Sequence, residues 1–399
     1  MRVVAITRLF PNSVEPLWCL FNKQQLAALG RLAEVEVLGV IPWFPGARAA
    51  RHWSAAGRLS DVPASETIDG LSVAHPRYLL VPKLPSLSAG LYAASLLPAA
   101  WRRRRADVLL GAWAYPDGAA TVMLAHALGL PSVVKVHGSD LNVIAKIASV
   151  RAHLKALLPR ATRLVAVSRA LADELAALGV PREQIAVVPN GVDASLFHPR
   201  DRTEARAQLG LPATGRVVTY VGRLVRDKGM LELIDAMAAL RESHPDLTLV
   251  LVGDGALRAE CEERARPLGG SVRFAGARPL DEIPRYLAAA DLFVLPSWNE
   301  GTPNVLLEAL ACGRRVVATR VGGCPDVVAS RELGELVPVR DVPALGAALA
   351  AAARQSYDPE AVAALGARGG WEDSAARLCA TLERAVESFR SRITQAVAA

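Results

Sequence analysis

Cysteine is scarce in this chain and forms no pattern. Its five cysteines, Cys19, Cys261, Cys312, Cys324 and Cys379, lie far apart with no C-x-x-C pair, which indicates neither a disulfide framework nor a zinc site. They read as isolated, mostly buried thiols in a reducing cytosol. Aromatic residues make up only 5%, while Ala, Val and Leu dominate, a balance suited to helices packed on parallel sheets. No uninterrupted apolar run reaches the roughly 18 residues of a membrane span. The opening stretch MRVVAITRLFP has five apolar residues before Arg8, too few for a signal-peptide core. Short-period repeats and low-complexity tails are lacking too. The seven histidines share no ligand spacing, so no metal is expected.

What is present is a chain of 399 residues, 52% hydrophobic and 21% charged, long enough for two domains or three with large cores. The net charge of +7 is uneven: residues 1–200 carry +9 and the remainder −2. An evenly basic protein would suggest nucleic acid, whereas this split suggests one domain facing an anionic surface. Its clearest piece is Trp101 followed by Arg102 to Arg105, directly after the apolar stretch Leu84–Ala100. That stretch suits either a headgroup layer or a core helix ending in a solvated basic turn.

In the N-terminal half, short β-branched runs alternate with amphipathic segments. The pattern predicts strands at Val3–Thr7, Val35–Val40, Leu71–Ala74, Asp107–Ala112, Ser132–Val136, Arg163–Val167 and Ile185–Val188. Helices are expected at Asn22–Leu32 and at Ser168–Leu178, the second capped by Ser168 and ending at Gly179. Residues 190–215 break the rhythm with Pro199, Pro212 and a run of charges, and read as a connector with one short helix. The alternation then restarts, with strands expected at Val217–Val221, Leu247–Val252, Val272–Ala275, Leu292–Pro296 and Arg315–Ala318. Helices are expected at Met230–Ser243, Leu257–Pro267, Asp281–Ala289 and from about Pro303 to Ala311, where Pro suits the first helical position. Two consecutive doubly wound α/β domains are the simplest account. Ligands of such sheets bind beyond the carboxyl ends of the strands, so two such edges facing each other would make one cleft, and the loops after strands are where chemistry is expected.

Three of those loops carry it. Pro296–Gly313, P-S-W-N-E-G-T-P-N-V-L-L-E-A-L-A-C-G, places Glu300 in the loop leaving a strand and Glu308 one and a half turns into the next helix. The N–H groups at that helix start, around Thr302, Asn304 and Val305, suit a phosphate or hydroxyl oxygens, and a carboxylate accepts the paired hydroxyls of a ribose well. The plain reading makes Glu300 a cap partner and Glu308 a solvated residue. In Gly222–Gly229, G-R-L-V-R-D-K-G, Arg223 and Lys228 offer two cations able to hold a diphosphate and offset its charge as it leaves, unless the loop is merely solvated; it is not a P-loop, lacking the G-K-[ST] ending. In Lys135–Asp140, K-V-H-G-S-D, His137 is placed to bond a sugar hydroxyl, or is structural, and Gly138 allows close backbone approach. Gly253, in Gly253–Gly255 after another strand, can pass close to a base or ribose, or the segment is a plain turn, and Gly322–Asp326 reads as a tight turn capping the next helix.

Together, and in this order, these motifs resemble glycosyltransferase family 4, the retaining family with the two-Rossmann-domain GT-B architecture. The pattern is nearest the TuaC-like branch of cell-surface polysaccharide enzymes. The V-P-N-G-V-D segment, Val188–Asp193, and the G-G-C-P-D turn, with Asp326 where Glu is commoner, complete the resemblance. It implies donor diphosphate binding by Arg223 and Lys228, ribose binding by Glu308, and contact of Glu300 with the transferred sugar. It further implies that His137 lines the sugar pocket from the other domain, and that backbone at Ala277 and Arg278 lies near the nucleobase. No metal or other cofactor is implied, and the chemistry would be front-face substitution with the leaving phosphate helping to deprotonate the acceptor. The chain departs from many members at Arg8–Pro16, which has no glycine where they carry a Gly-Gly loop.

The expectation is therefore a GT-B transferase with an acceptor domain at 1–192, a connector at 193–215 and a donor domain at 216–373, its last helix, 374–399, packing back on the first domain. It would move a hexose from a UDP- or GDP-sugar to a glycan or lipid-linked acceptor, in the cytoplasm and at the inner face of an anionic membrane. The rivals are a sugar-nucleotide epimerase of the same architecture and a non-catalytic nucleotide- or glycan-binding relative.

Overall fold

The computed structural model describes residues 1–81, 85–367 and 369–398; Leu84, at the head of the apolar stretch, and Ala399, at the end of the expected last helix, lie outside the described residues. The chain divides into two compact units, Met1–Asn190 with Trp371–Ala399, and Gly191–Gly370.

The first unit is built on strands β1 (Arg2–Thr7), β2 (Glu34–Gly39), β4 (Ser65–Ile68), β5 (Leu71–Ala74), β7 (Val108–Gly111), β8 (Ser132–Val136), β9 (Arg163–Ala166) and β10 (Ile185–Val187), with a separate small pair of β3 (Ile41–Trp43) and β6 (Arg77–Leu79). The main sheet runs β10-β9-β8-β7-β1-β2-β5-β4, parallel throughout except for the antiparallel β4–β5 pair. Side chains alternate across a strand, and β1 shows why both faces must be covered. Val3 and Ala5 join a core formed with helix Trp371–Ala398, whereas Val4 and Ile6 join one formed with helix Pro85–Arg102. The long last helix supplies Trp371, Ala375, Leu378, Cys379, Leu382, Ala385 and Val386 to that core, an apolar stripe at three- and four-residue spacing.

The second unit has one parallel sheet ordered β13-β12-β11-β14-β15-β16, from β11 (Arg216–Val221), β12 (Leu247–Val252), β13 (Val272–Gly276), β14 (Leu292–Leu295), β15 (Val316–Thr319) and β16 (Gly334–Val337). Every residue of β12 is buried, as expected of a strand covered on both faces. This is the doubly wound order, and its direction reverses between β11 and β14, the place where such sheets open a crevice for ligand.

Several expectations need correction. Strands β3, β4, β6 and β16 were not anticipated, nor were helices Val342–Arg354 and Pro359–Gly366; the strands are three or four residues long, and β4 reads S-E-T-I with no buried residue. The stretch 193–215 is not a separate connector. Its helix Arg202–Gln208 is fastened to the second unit by the buried Arg206, which donates to Asp291 at 2.5 Å and to Ala289 O at 3.0 Å. Pro303 is not the first residue of its helix but its N-cap, at φ −76° and ψ 99°, and the helix starts at Asn304. Helix Pro85–Arg102 is a core helix, burying Tyr92, Ala93, Leu96, Ala99 and Ala100. The arginines that follow it lie where the chain enters β7, at the amino edge of the sheet, with Arg103 paired to Glu36 and Arg104 stacked 5.2 Å over Trp101. Among the described residues no helix is long and apolar enough to cross a membrane.

Candidate active site

In the second unit the loops leaving β11, β12, β13, β14 and β15 are laced together at the carboxyl edge. The Gly222 N–H donates to Val252 O at 2.9 Å, that of Leu224 to Asp254 O at 2.9 Å, and that of Gly253 to Gly276 O at 2.8 Å. Gly253 has φ +139°, and a Cβ there would fall 1.9 Å from Gly222 O, so only glycine permits the two loops to touch. Across the switch point, the Trp298 N–H donates to Asp227 O at 2.8 Å, and beyond it the Gly323 N–H, after β15, donates to Gly301 O, after β14, at 2.7 Å. Tyr220, buried beneath these loops, donates its hydroxyl to Arg223 O at 3.0 Å, and burial, then Glu300, pushes its phenol pKa up.

Lys228 leaves β11 and Glu300 leaves β14, and the structure joins them: Nζ donates to Glu300 Oε1 at 2.5 Å, with 20% of the lysine side chain and 11% of the glutamate side chain exposed. The Arg223 guanidinium is exposed and has no acidic partner among the described residues. Thr302, Asn304 and Val305 follow Glu300 directly, at the start of helix Asn304–Ala311. Glu308, on the second turn, is partly buried and its carboxyl has no hydrogen-bond or ionic partner among the described residues. Burial alone raises its pKa from 4.5 to about 7. A carboxyl desolvated without compensation is costly, and two neighbouring hydroxyls would satisfy it. Ala277 and Arg278 sit beyond β13, an edge strand; Ala277 is exposed, and Arg278 is engaged locally, donating to Ala275 O at 3.0 Å and lying 3.7 Å from Glu282.

In the first unit His137 follows β8. Asp140 shapes this turn, accepting from the N–H groups of His137, Gly138, Leu141 and Ala114. The imidazole lies 4.9 Å from the Phe21 ring and 6.0 Å from Trp113, centroid to centroid. Burial, then the Lys135 ammonium, holds its pKa well below 6.5, so the ring is neutral at pH 7, and its buried Nε2 has no hydrogen-bond partner among the described residues. At the end of β1, where a Gly-Gly loop was missing from the sequence, the Arg8 N–H donates to the buried Asp117 at 3.1 Å and its Nε lies 3.4 Å from the same carboxylate.

Tyr220, Asp227, Trp298, Asp140 and Asp117 hold the loops in place and were not singled out from the sequence. Their only signal was proximity to strand ends, which many inert residues share. Among the described residues no group of three or more His, Cys, Asp or Glu is arranged to hold a metal.

Residues 215–355 match the model described as glycosyl transferases group 1, and residues 23–196 that described as glycosyltransferase family 4. The chain is 33% identical over 331 residues to the putative teichuronic acid biosynthesis glycosyltransferase TuaC of Bacillus subtilis, covering 81% of this chain and 82% of that one. It is 34% identical over 374 residues to D-inositol 3-phosphate glycosyltransferase 1 of Catenulispora acidiphila, covering 85% and 86%. Of solved structures, Anabaena HepE in complex with UDP and glucose superposes with a TM-score of 0.71 at 21% identity over 96% of this chain and 99% of that one. Sucrose-phosphate synthase from Thermosynechococcus elongatus does so with 0.67 at 23% over 100% and 99%. With two parallel-sheet α/β units, the motif order from His137 to Glu308 and these relatives agreeing, the chain belongs to glycosyltransferase family 4, of the GT-B fold.

Proposed function

We propose that this transferase moves a hexose, with retention, from a UDP- or GDP-sugar to a glycan or lipid-linked acceptor in the synthesis of a cell-surface polysaccharide. The observation that carries the reading is the grouping, at the switch point of the second sheet, of the Lys228–Glu300 pair, the exposed Arg223, a helix start and the unpartnered Glu308. A nucleotide sugar has a chemical match for each. The diphosphate takes Arg223, a share of the Lys228 ammonium and the N–H groups near Thr302, Asn304 and Val305. The ribose hydroxyls take Glu308, whose carboxylate form they stabilise. Backbone at Gly222, Gly253, Ala277 and Arg278 borders the nucleoside.

As the sugar–phosphate bond breaks, negative charge grows on the diphosphate, and fixed cations aimed at that charge lower the barrier. Glu300 then serves twice, sharing Lys228 with the diphosphate and accepting a hydroxyl of the hexose. The departing phosphate oxygen takes the acceptor proton, so no side-chain base is required. His137, neutral and with an unpartnered Nε2, offers one hydrogen bond to a sugar hydroxyl without adding charge. No metal is invoked, since the cationic loop and helix start do that work.

A thermal-shift panel of UDP, GDP and their sugars tests the donor. A nucleoside diphosphate at a hundredfold its Kd adds about 2.7 kcal/mol of stability, and the wild type is expected to respond to one base over the other. Silence toward every nucleoside diphosphate would sink the reading. Conversion of the donor's sugar to its epimer without any acceptor identifies the epimerase alternative instead. Membrane contact through the first unit is a further clause of the proposal, supported by the exposed Leu17, Trp18, Trp43 and Trp53 and by the unit's basic charge. Flotation with anionic liposomes checks it, and an intact protein that stays at the bottom removes the clause.

A further inference from the structure

Trp298 lies two residues before Glu300 and is gripped from three directions. Its backbone N–H donates to Asp227 O at 2.8 Å, its indole Nε1–H donates to Glu232 Oε1 at 3.2 Å, and the Arg340 guanidinium carbon stands 3.8 Å from the centre of its ring. The first contact and the Lys228–Glu300 ion pair, at 2.5 Å, are successive rungs joining the same two loops, Asp227 being next to Lys228. Gly229 presses on the other strand end, since a Cβ there would fall 2.1 Å from Pro296 O. The indole is therefore held by Glu232 and Arg340 on the loop whose next rung carries Glu300.

Arg340 sits in the turn between β16 and the helix Val342–Arg354, with Asp341 beside it accepting from the Ala344 N–H at 2.9 Å as that helix's cap. Its φ is +59°, a left-handed conformation that glycine adopts without steric cost and arginine does not. Its side chain is exposed and has no acidic partner among the described residues, and the contact that orients it there is the indole face. A guanidinium over tryptophan is an attractive, desolvating contact.

We propose that Arg340 is a positioning residue for the transfer reaction: by stacking on Trp298 it fixes the register in which Glu300 meets Lys228, although it touches neither. This rests on the transferase reading of the same site. A small misplacement of a reacting group lowers turnover more than binding, so the loss belongs in kcat.

The test compares Arg340→Gly, Arg340→Lys and Trp298→Phe in the full-length protein. The readouts are release of UDP or GDP from the panel of donor sugars, thermal melting, and the Trp298 indole N–H resonance, assigned by its disappearance in Trp298→Phe. Arg340→Gly relieves the backbone, so its Tm is expected to hold or rise while kcat falls about tenfold and the donor KM stays within about twofold. The indole resonance should shift, and Arg340→Lys, which keeps a cation, should recover most of both. Wild-type turnover by Arg340→Gly, a fall in its Tm that tracks the fall in activity, or an unmoved indole resonance would each overturn the proposal. If the wild type neither responds to any nucleoside diphosphate in the thermal-shift panel nor releases one, the transferase reading fails instead, and the resonance still decides whether the clamp exists.

Discussion

Glu308 is a carboxyl that the fold desolvates and leaves without a partner among the described residues, and its titration has a definite sign. Its pKa rises from 4.5 to about 7, so the stability it contributes is fully present below about pH 4.5 and is lost as the pH climbs through about 7. The loss approaches 1.4 kcal/mol for each pH unit crossed between those values. Glu308→Gln should therefore melt above the wild type at pH 8 and close to it at pH 4, while losing most of the thermal shift produced by the cognate nucleoside diphosphate. Equal melting curves at pH 8 would show that the carboxyl is solvated after all. Glu300→Ala is expected to abolish most transfer without unfolding, whereas Lys228→Ala should mainly weaken donor use; a variant at Glu300 with unchanged turnover would refute its role. Glu300, Glu308, Arg223 and Lys228 were legible because each carries charge into a loop or helix start after an apolar strand. Arg340 was not, because its sequence context shows neither the left-handed turn nor the tryptophan 42 positions away that it meets.

Elements were readable where an apolar run was long, and lost where pairing alone makes a strand. β8 and β12 begin and end where expected, as does the short alternating L-S-V-A of β5, but β4 and β16 owe their existence to neighbours, β5 and β15 respectively. The loops between elements constrain each other more tightly than the motifs implied. Gly322 has φ +48°, and a Cβ on it would lie 1.9 Å from Glu300 O, so Gly322→Ala should push the Glu300 loop away from Lys228. Turnover should fall at least tenfold, within the range for misplaced catalytic groups, with a measurable drop in Tm; an unaffected enzyme would show that the loop relocates freely. On the last helix, Leu382 is fully buried against the first sheet, and Leu382→Ala should cost about 2–5 kcal/mol in denaturant melts, although it lies far along the chain from every proposed site residue.

At the scale of the molecule, the chain leaves the first unit at Asn190 and re-enters it at Trp371, and one buried network holds both passages. The Lys135 ammonium donates to Gln25 and, at 3.3 Å, to Asn190; Gln25 donates to Ser374 Oγ at 2.8 Å; Ser374 donates to Pro189 O at 2.6 Å. Burial lowers the Lys135 pKa from 10.5 to about 7. A depressed ammonium makes stability rise with pH between those values and fall as pH drops through about 7. The stability of wild type relative to Lys135→Met should accordingly grow from pH 7 to pH 10; a constant difference would mean that Lys135 stays charged throughout. The two α/β units were visible in the restarted alternation of strands and helices. The attachment of 193–215 to the second unit was hidden, because it depends on the long-range pairing of Arg206 with Asp291.

One face of the first sheet is covered in part by helix Leu20–Leu29 and is completed by residues beyond 370. A ribosome translating this message emits every strand of that sheet before it emits the helix that shields Val108, Val133 and Val165. For that interval the nascent chain exposes a greasy plane that invites chaperones or self-association. Splitting the gene after codon 190 would make the exposure permanent.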